Sequence, residues 1–280
     1  MLTEHYWTEA LHRSKTALMT NSLVPLRTEV TQIPAKCGEE FELRKLIQYP
    51  THINSKGPKQ NPFKPWDKKL EVSQIGSDHV LILNKYPVQQ GHMLLITREW
   101  APQNGWISYK DWQALLTVDK DTNGLWFFNS SQASGASQPH RHLQLLRRNA
   151  TEKTCPRDKW FLSQINNTTQ QFSKLSLSSV VSGRTPSTDP QDLFRNYLSL
   201  ANIIGLGSPI LDLYPKRPYN LLLTKDWFAL IRRSREGIGG FSINALGFAG
   251  YLLATEKSDL KWLKSNGPEA LLEGVVEKIQ

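Results

Sequence analysis

The segment Gly135-Ala136-Ser137-Gln138-Pro139-His140-Arg141-His142-Leu143-Gln144-Leu145-Leu146 sets polar side chains at 140, 142 and 144 against leucines at 143 and 145. Side chains of a strand alternate between its two faces. The spacing therefore predicts a strand over His140 to Leu146, with His140, His142 and Gln144 in a row on one face and Leu143 and Leu145 anchoring the other in a core. Two histidines at i and i+2 have three uses. They bind a metal, sit as ordinary sheet residues, or act on a phosphoryl group. Metal sites recruit a further His, Cys or carboxylate, and this row supplies a glutamine, a poor ligand. No metal site is therefore expected. The preceding loop, Asn129 to Pro139, offers serine hydroxyls at 130, 131, 134 and 137, an asparagine and two glutamines with little bulk. Such a loop brings hydroxyl and backbone N–H donors close to phosphate oxygens.

A neutral imidazole is a competent nucleophile because its ordinary pKa of about 6.5 leaves much of it as free base near pH 7. A phosphorus–nitrogen bond keeps the transferred group activated for a second phosphate. Gln144 has no acidic proton, but its amide can hydrogen-bond a phosphate oxygen as charge shifts during displacement.

Outward from this strand, a helix is expected over Thr3 to Met19 and strands over Arg27 to Ile33 and Phe41 to Ile47. Pro50 to Pro65, with its prolines, Gly57, Lys56, Lys59 and Lys64, reads as an irregular loop. Strands follow at Leu70 to Ile75, His79 to Asn84, His92 to Thr97 and Leu125 to Phe128, with a helix at Tyr109 to Asp119. Asp158 to Leu175 reads as helix and Ser176 to Asp189 as a connection. Pro190 at a first helical position opens a helix to about Ile204. Strands at Tyr219 to Thr224 and Trp227 to Arg232 precede helices near Ser242 to Thr255 and Glu269 to Ile279. Helices and strands mix without βαβ alternation, which favours an α+β fold. The expected division is an N-terminal region, 1–185, bearing the histidines and a C-terminal region, 186–280, completing the same fold.

The chain has 280 residues, 39% hydrophobic and 21% charged, enough for a substantial core. No apolar run reaches the roughly 18 to 20 residues of a membrane span. The first residues, Met1-Leu2-Thr3-Glu4-His5-Tyr6-Trp7, lack a basic start followed by an apolar stretch, so a secretory signal is not expected. Cys37 and Cys155 form no CxxC pair, and the expected compartment is the cytoplasm. A net charge of +9 suits an anionic partner. Nine tryptophans and this charge would fit a nucleic-acid-binding protein, but no helix carries a continuous basic stripe and no RNA-binding aromatic signature occurs. Neither nucleic acid nor membrane is an expected partner. A P-loop is absent, and Gly205-Leu206-Gly207 lacks the third glycine of a dinucleotide fingerprint.

The segment Gly135 to Gln144 resembles the His-x-His-x-Gln signature of the histidine-triad superfamily, and most closely the diadenosine tetraphosphate phosphorylase (ATP adenylyltransferase) family, related to galactose-1-phosphate uridylyltransferase. Asn61-Pro62-Phe63-Lys64-Pro65-Trp66, Leu83-Asn84-Lys85-Tyr86-Pro87, Gly91-His92-Met93-Leu94-Leu95-Ile96-Thr97, Tyr219-Asn220-Leu221-Leu222-Leu223-Thr224-Lys225 and Ser242 to Gly250 are similar to that family in the same order. The linker from Thr151 to Asp189 matches no segment, and Ile231-Arg232-Arg233-Ser234 carries an arginine where the family leads us to expect proline.

The resemblance implies a histidine-triad-like antiparallel sheet with packed helices and a C-terminal extension. It implies that His142 takes the adenylyl group, His140 orients it and Gln144 holds the phosphate. Lys56, Lys59 and Lys64 would approach the polyphosphate, and Asn84, Asn129, Ser131, Ser134 and Ser137 would hold ribose or phosphate. Phe63 and Trp66 are expected either to pack the loop, their more common use, or to flank an adenine, and His92 is expected to be a satisfied structural histidine. The implied reaction is phosphorolysis of a dinucleoside polyphosphate, diadenosine tetraphosphate, by inorganic phosphate to ATP and ADP. No tightly bound cofactor is implied, though a divalent cation such as Mg2+ could accompany the nucleotide. Hydrolases of the superfamily carry histidine at the third motif position, where this chain has Gln144. Transfer of a nucleotidyl group to a sugar phosphate is the other enzymatic alternative.

Overall fold

A computed structural model of the protein describes residues 4–35, 39–47, 61–148, 153–165, 173–184 and 189–279. Helix α1 (His5–Met19) turns Ala10, Ser14 and Ala17 inward at helical spacing. Its first backbone N–H groups donate to a carboxylate from elsewhere in the chain, His5 and Tyr6 to Asp121 at 2.9 Å each. Strands β1 (Thr28–Pro34) and β2 (Glu40–Leu46) form an antiparallel ribbon. Next come β3 (Glu71–Ile75), β4 (His79–Leu83), β5 (Met93–Thr97), α2 (Tyr109–Asp119), β6 (Gly124–Asn129), β7 (His142–Arg147) and α3 (Asp158–Ile165). Strand β8 (Ser179–Gly183), α4 (Pro190–Ile203), β9 (Tyr219–Leu223) and β10 (Trp227–Arg232) follow. The chain closes with the short β11 (Gly237–Ile238) and β12 (Phe241–Ser242), then α5 (Ala245–Ala249), β13 (Tyr251–Ala254), α6 (Leu260–Asn266) and α7 (Pro268–Gly274).

Eight of these strands make one sheet in the order β3-β4-β5-β7-β6-β9-β10-β8, antiparallel at every pairing. Strand β7, which carries His142, is interior and hydrogen-bonded on both edges. On one face Leu81, Leu95, Leu143, Leu145, Trp126 and Leu221 pack with Trp112 and Leu115 of α2 and Tyr197 of α4. On the other, Leu125, Phe127, Leu146 and Leu222 meet Phe161 of α3, Phe248 of α5 and Leu271 of α7. A polar group on such a strand is held by packing from both sides, which makes it a rigid mount. The smaller sheet, β1-β2-β13, pairs β13 parallel to β2 and reaches the second core through Phe41 and Leu252. Strands from either side of residue 185 share the large sheet, so the two halves complete one structure. Among the described residues no helix is long and apolar enough to cross a membrane.

Five sequence expectations need correction. Strand β7 starts at His142 rather than His140, because His140 makes an isolated bridge to Pro102 before the ladder begins. Helix α3 is seen over Asp158–Ile165; the stretch 166–172 lies outside the described residues, and 173–175 are not helical, so the expected helix does not extend to Leu175. The connection from Ser176 holds β8, an edge strand paired to β10, whose half-exposed Val180 and Val181 lack clean alternation. The helix expected from Ser242 to Thr255 is five residues of α5 followed by β13; an unbroken apolar run does not discriminate helix from strand. The last helix, expected over Glu269 to Ile279, is α7 and ends at Gly274, and an unexpected helix, α6, precedes it across Gly267 at φ 81°.

Candidate active site

The ends of β5 and β6 and the start of β7 lie together at one edge of the large sheet, with Thr97, Asn129 and His142 at that edge. Arg141, between the two histidines, points away from them. Its guanidinium meets the Asp111 carboxylate at 2.8 Å and the Pro102 carbonyl at 2.8 Å. Asp111 also accepts from the Ser108 backbone N–H and binds the His79 ring at 2.8 Å. Burial alone would raise the Asp111 pKa, but the His79 hydrogen bond and the Arg141 charge outweigh it and hold it below the ordinary value. This buried cluster pins the start of β7 to the N-terminus of α2.

His142 is buried, and its Nδ1 lies 2.8 Å from the His140 backbone carbonyl. A carbonyl only accepts, so Nδ1 carries the proton and Nε2 is left with its lone pair. Burial, with smaller contributions from the charges of His140 and Arg141, lowers the His142 pKa to about 4. The ring is thus neutral near pH 7, with the nucleophilic nitrogen identified by hydrogen-bond direction. Gln103 holds the same residue by its backbone, accepting from the His142 N–H at 2.9 Å while donating to the Asn129 carbonyl at 2.7 Å.

The other two rings are fixed by one device used twice. The Asn61 Oδ1 accepts from the Phe63 N–H at 3.0 Å, which turns its Nδ2 donor to His140 Nδ1 at 2.9 Å. His140 must then donate from Nε2 to the Thr97 carbonyl, 2.9 Å away. Asn84 Oδ1 accepts from the Tyr86 N–H at 3.1 Å and its Nδ2 meets His92 Nδ1 at 3.1 Å. His92 Nε2 therefore donates to Gln144 Oε1 at 2.9 Å. With its oxygen so occupied, Gln144 presents its Nε2 hydrogens on the opposite side. Asparagine readily makes such turns to the N–H two residues on. Burial lowers the His92 pKa to about 4, as a permanently neutral relay requires.

These polarities bear on two of the expected roles. Both ring nitrogens of His140 are engaged, so its backbone carbonyl, rather than its ring, orients His142. His92 is a satisfied histidine, but what satisfies it is Gln144. Phe63 is buried against both imidazoles, with ring centroids 5.7 Å from His140 and 5.3 Å from His142, so it forms their back wall. Trp66 is occupied elsewhere, its N–H donating to Glu71 and its ring face covered by Lys68. Lys64 pairs with Glu99 beside His140. Lys56 and Lys59 lie outside the described residues.

In the serine loop, Ser134 hydrogen-bonds inward to Ser131 and Ser130 and serves the turn. Gly135 then takes φ 87°, and a Cβ there would lie 2.7 Å from that of Asn244. Ser131 keeps a buried hydroxyl with no hydrogen-bond partner among the described residues. Ser137 is exposed. Asn129 Oδ1 accepts from Asn220 Nδ2 at 2.7 Å and from the Ala245 N–H at 2.9 Å, which leaves its Nδ2 aimed the other way. Asn220 in turn accepts from Arg233, which also donates to the Ser134 carbonyl. Of the two arginines in the segment that departs from the family, Arg233 thus ties the C-terminal region to the loop, while Arg232 pairs with Glu277. Next to His92 and Asn84, an apolar cavity of about 230 Å³ opens beneath α1, walled by Leu18, Leu23, Pro25 and Pro87. Gln103, Asn61 and Thr97 carried no sequence signal of their own, although Asn61 and Thr97 stand in segments shared with the family.

The sequence model described as Ap4A phosphorylase N-terminal domain matches residues 1–160, and that described as ATP adenylyltransferase C-terminal domain matches residues 161–277. The chain belongs to the Ap4A phosphorylase family. Within that family it is 31% identical over 214 residues to Protein APA1 of Saccharomyces cerevisiae, covering 68% of this chain and 67% of that protein. It is 28% identical over 242 residues to diadenosine 5',5'''-P1,P4-tetraphosphate phosphorylase 2 of the same yeast, covering 74% and 73%. The crystal structure of yeast Ap4A phosphorylase Apa2 in complex with AMP has the same fold, with a TM-score of 0.76 at 23% identity over 99% of both chains. That of Apa2 in complex with Ap4A superposes with a TM-score of 0.71 at 22% identity, over 98% of this chain and 96% of that one. The antiparallel α+β architecture of the family is therefore present from end to end.

Proposed function

We propose that this protein phosphorolyses diadenosine tetraphosphate with inorganic phosphate, giving ATP and ADP through an adenylyl group carried on His142. The observation that carries the reading is the Nδ1–H of His142 donating to the His140 carbonyl, which leaves the lone pair on Nε2. The Nε2 lone pair attacks the α-phosphorus of one adenosine, the bond to the bridging oxygen breaks, and ATP leaves as an anion. The ring, now bonded at both nitrogens, becomes cationic, and the His140 carbonyl stabilises it through the retained Nδ1–H. An oxygen of inorganic phosphate then displaces the imidazole, releasing ADP and restoring the neutral ring.

The Gln144 amide donates to the α-phosphate oxygens during both displacements, held in that sense by Asn84 and His92. The Ser131 hydroxyl and the Asn129 amide are placed to add donors. The apolar cavity beside Asn84 suits one nucleoside, base inward and ribose toward the asparagine. A divalent cation such as Mg2+ would be carried by the phosphates of the nucleotide. Gln144 gives water no proton-transfer group, which separates this reading from hydrolysis by a relative with histidine there. The buried free thiol of Cys155 is in keeping with a cytoplasmic protein.

The test is incubation with diadenosine tetraphosphate at alkaline pH without phosphate. The protein should gain the mass of one adenylyl group on the peptide containing His142, with one equivalent of ATP released. The adduct should vanish in brief acid and be discharged as ADP when phosphate is added. Release of ATP with AMP and no adduct would overturn the proposal in favour of hydrolysis.

A further inference from the structure

We infer that Trp100 is the platform on which the second nucleobase of the dinucleotide stacks, so that it selects substrates with two nucleosides over those with one. This rests on the reaction proposed above. The side chain is 52% exposed, yet its ring stands 5.3 Å from that of His140, edge-on at 67°. From Trp100 the aromatic contacts run through His140 and Phe63 to His142, with successive centroids 5.3, 5.7 and 5.3 Å apart. A nucleoside in the cavity at His92 lies toward the Gln144 end of this row, and Trp100 marks the opposite end. The salt bridge between Lys64 and Glu99 lies next to it, so a cation is at hand for the phosphate chain that must join the two.

The other aromatic rings around the site are already engaged. Phe63 is buried and Trp66 is covered by Lys68. Trp106 donates its N–H to the Asp212 carbonyl and packs against Tyr197. The exposed Ile210, Leu211 and Leu213 offer no flat ring. Among the described residues, Trp100 is the ring that joins an open face to contact with the catalytic row. A purine has a π-face that stacks on indole whatever its hydrogen-bonding edge.

The test compares diadenosine tetraphosphate with adenosine 5'-tetraphosphate, which lacks only the second nucleoside, as substrates of the parent protein, Trp100→Ala and Trp100→Phe. The alanine variant should lose about tenfold or more in kcat/KM on the dinucleotide, mostly in KM, and change little on the mononucleotide. Phenylalanine should restore part of the loss. An equal loss on both substrates would reduce Trp100 to a support for His140 and overturn the inference, as would no loss on either. Should the parent turn over neither substrate, the proposed reaction itself would fail, a distinct outcome.

Discussion

Burial holds the His142 imidazole neutral down to about pH 4, so the fraction of nucleophilic free base hardly varies between pH 5 and 8. The rate of adenylyl transfer to the enzyme, followed by rapid quench without phosphate, should therefore be flat over that range. An ordinary histidine would impose an acid limb near 6.5, and finding that limb would show the ring to be solvated. The same shift has a consequence for stability. His142 and His92 take up protons near 6.5 in the unfolded chain but only near 4 in the folded one. The unfolded state thus binds more protons between these values, and stability is lost as pH falls from about 6.5 toward 4. Urea midpoints should be lower at pH 5 than at pH 7. His92 also acts at a distance: without its Nε2–H, Gln144 is free to flip and offer an oxygen to the phosphate. His92→Ala should lower kcat by roughly 10- to 100-fold, the usual cost of losing a partner that orients a catalytic group. A change confined to KM would deny it that role.

At the scale of elements, the junction between α2 and β7 decides whether the motif is presented at all. Ser108 and Asp111 form a reciprocal cap at the start of α2, and the same carboxylate binds Arg141 and His79. Removing it leaves a buried guanidinium without its counter-charge. Asp111→Ala is therefore expected to destabilise the protein by about 3 to 5 kcal/mol, seen as a large drop in Tm, whereas an exposed pair such as Lys110 with Asp78 should cost little. A small effect at Asp111 would mean that water replaces the carboxylate at the junction. The elements were legible from sequence in proportion to the regularity of their surroundings. Helix α4 announces itself with Asp189 and Pro190, and β7 with its alternation. Strands β8 and β13 do not, because an edge strand with mixed exposure and an apolar run after a short helix carry no period of their own.

For the molecule as a whole, the two matched domains are halves of a single sheet. Strand β6 pairs with β7 on one side and with β9 on the other, so a cut near residue 160 leaves β6 with an unpaired edge. Asn220, from the second half, is buried and bridges Asn129, Ser134 and Arg233. Residues 1–160 expressed alone should therefore lack a cooperative thermal transition, monitored by circular dichroism, and the full chain should unfold in one step. A sharp transition in the fragment would show that the halves fold independently.

The alternation of His142 and Gln144 with Leu143 and Leu145 marked a strand, the mixture of helices and strands without βαβ alternation an α+β class, and the resemblance of the motif and of the ordered segments to the family pointed to His142, all from sequence alone. They sufficed because periodicity and motif are local properties of the chain. The tautomer of each imidazole, the recruitment of Gln103 and the use of Arg233 were decided only by the tertiary structure. Gln103 reaches His142 across 39 positions, and Ala245 reaches Asn129 across 116. Hydrogen-bond direction depends on which donor or acceptor folding brings opposite a given nitrogen, and no local pattern in the sequence records that partner.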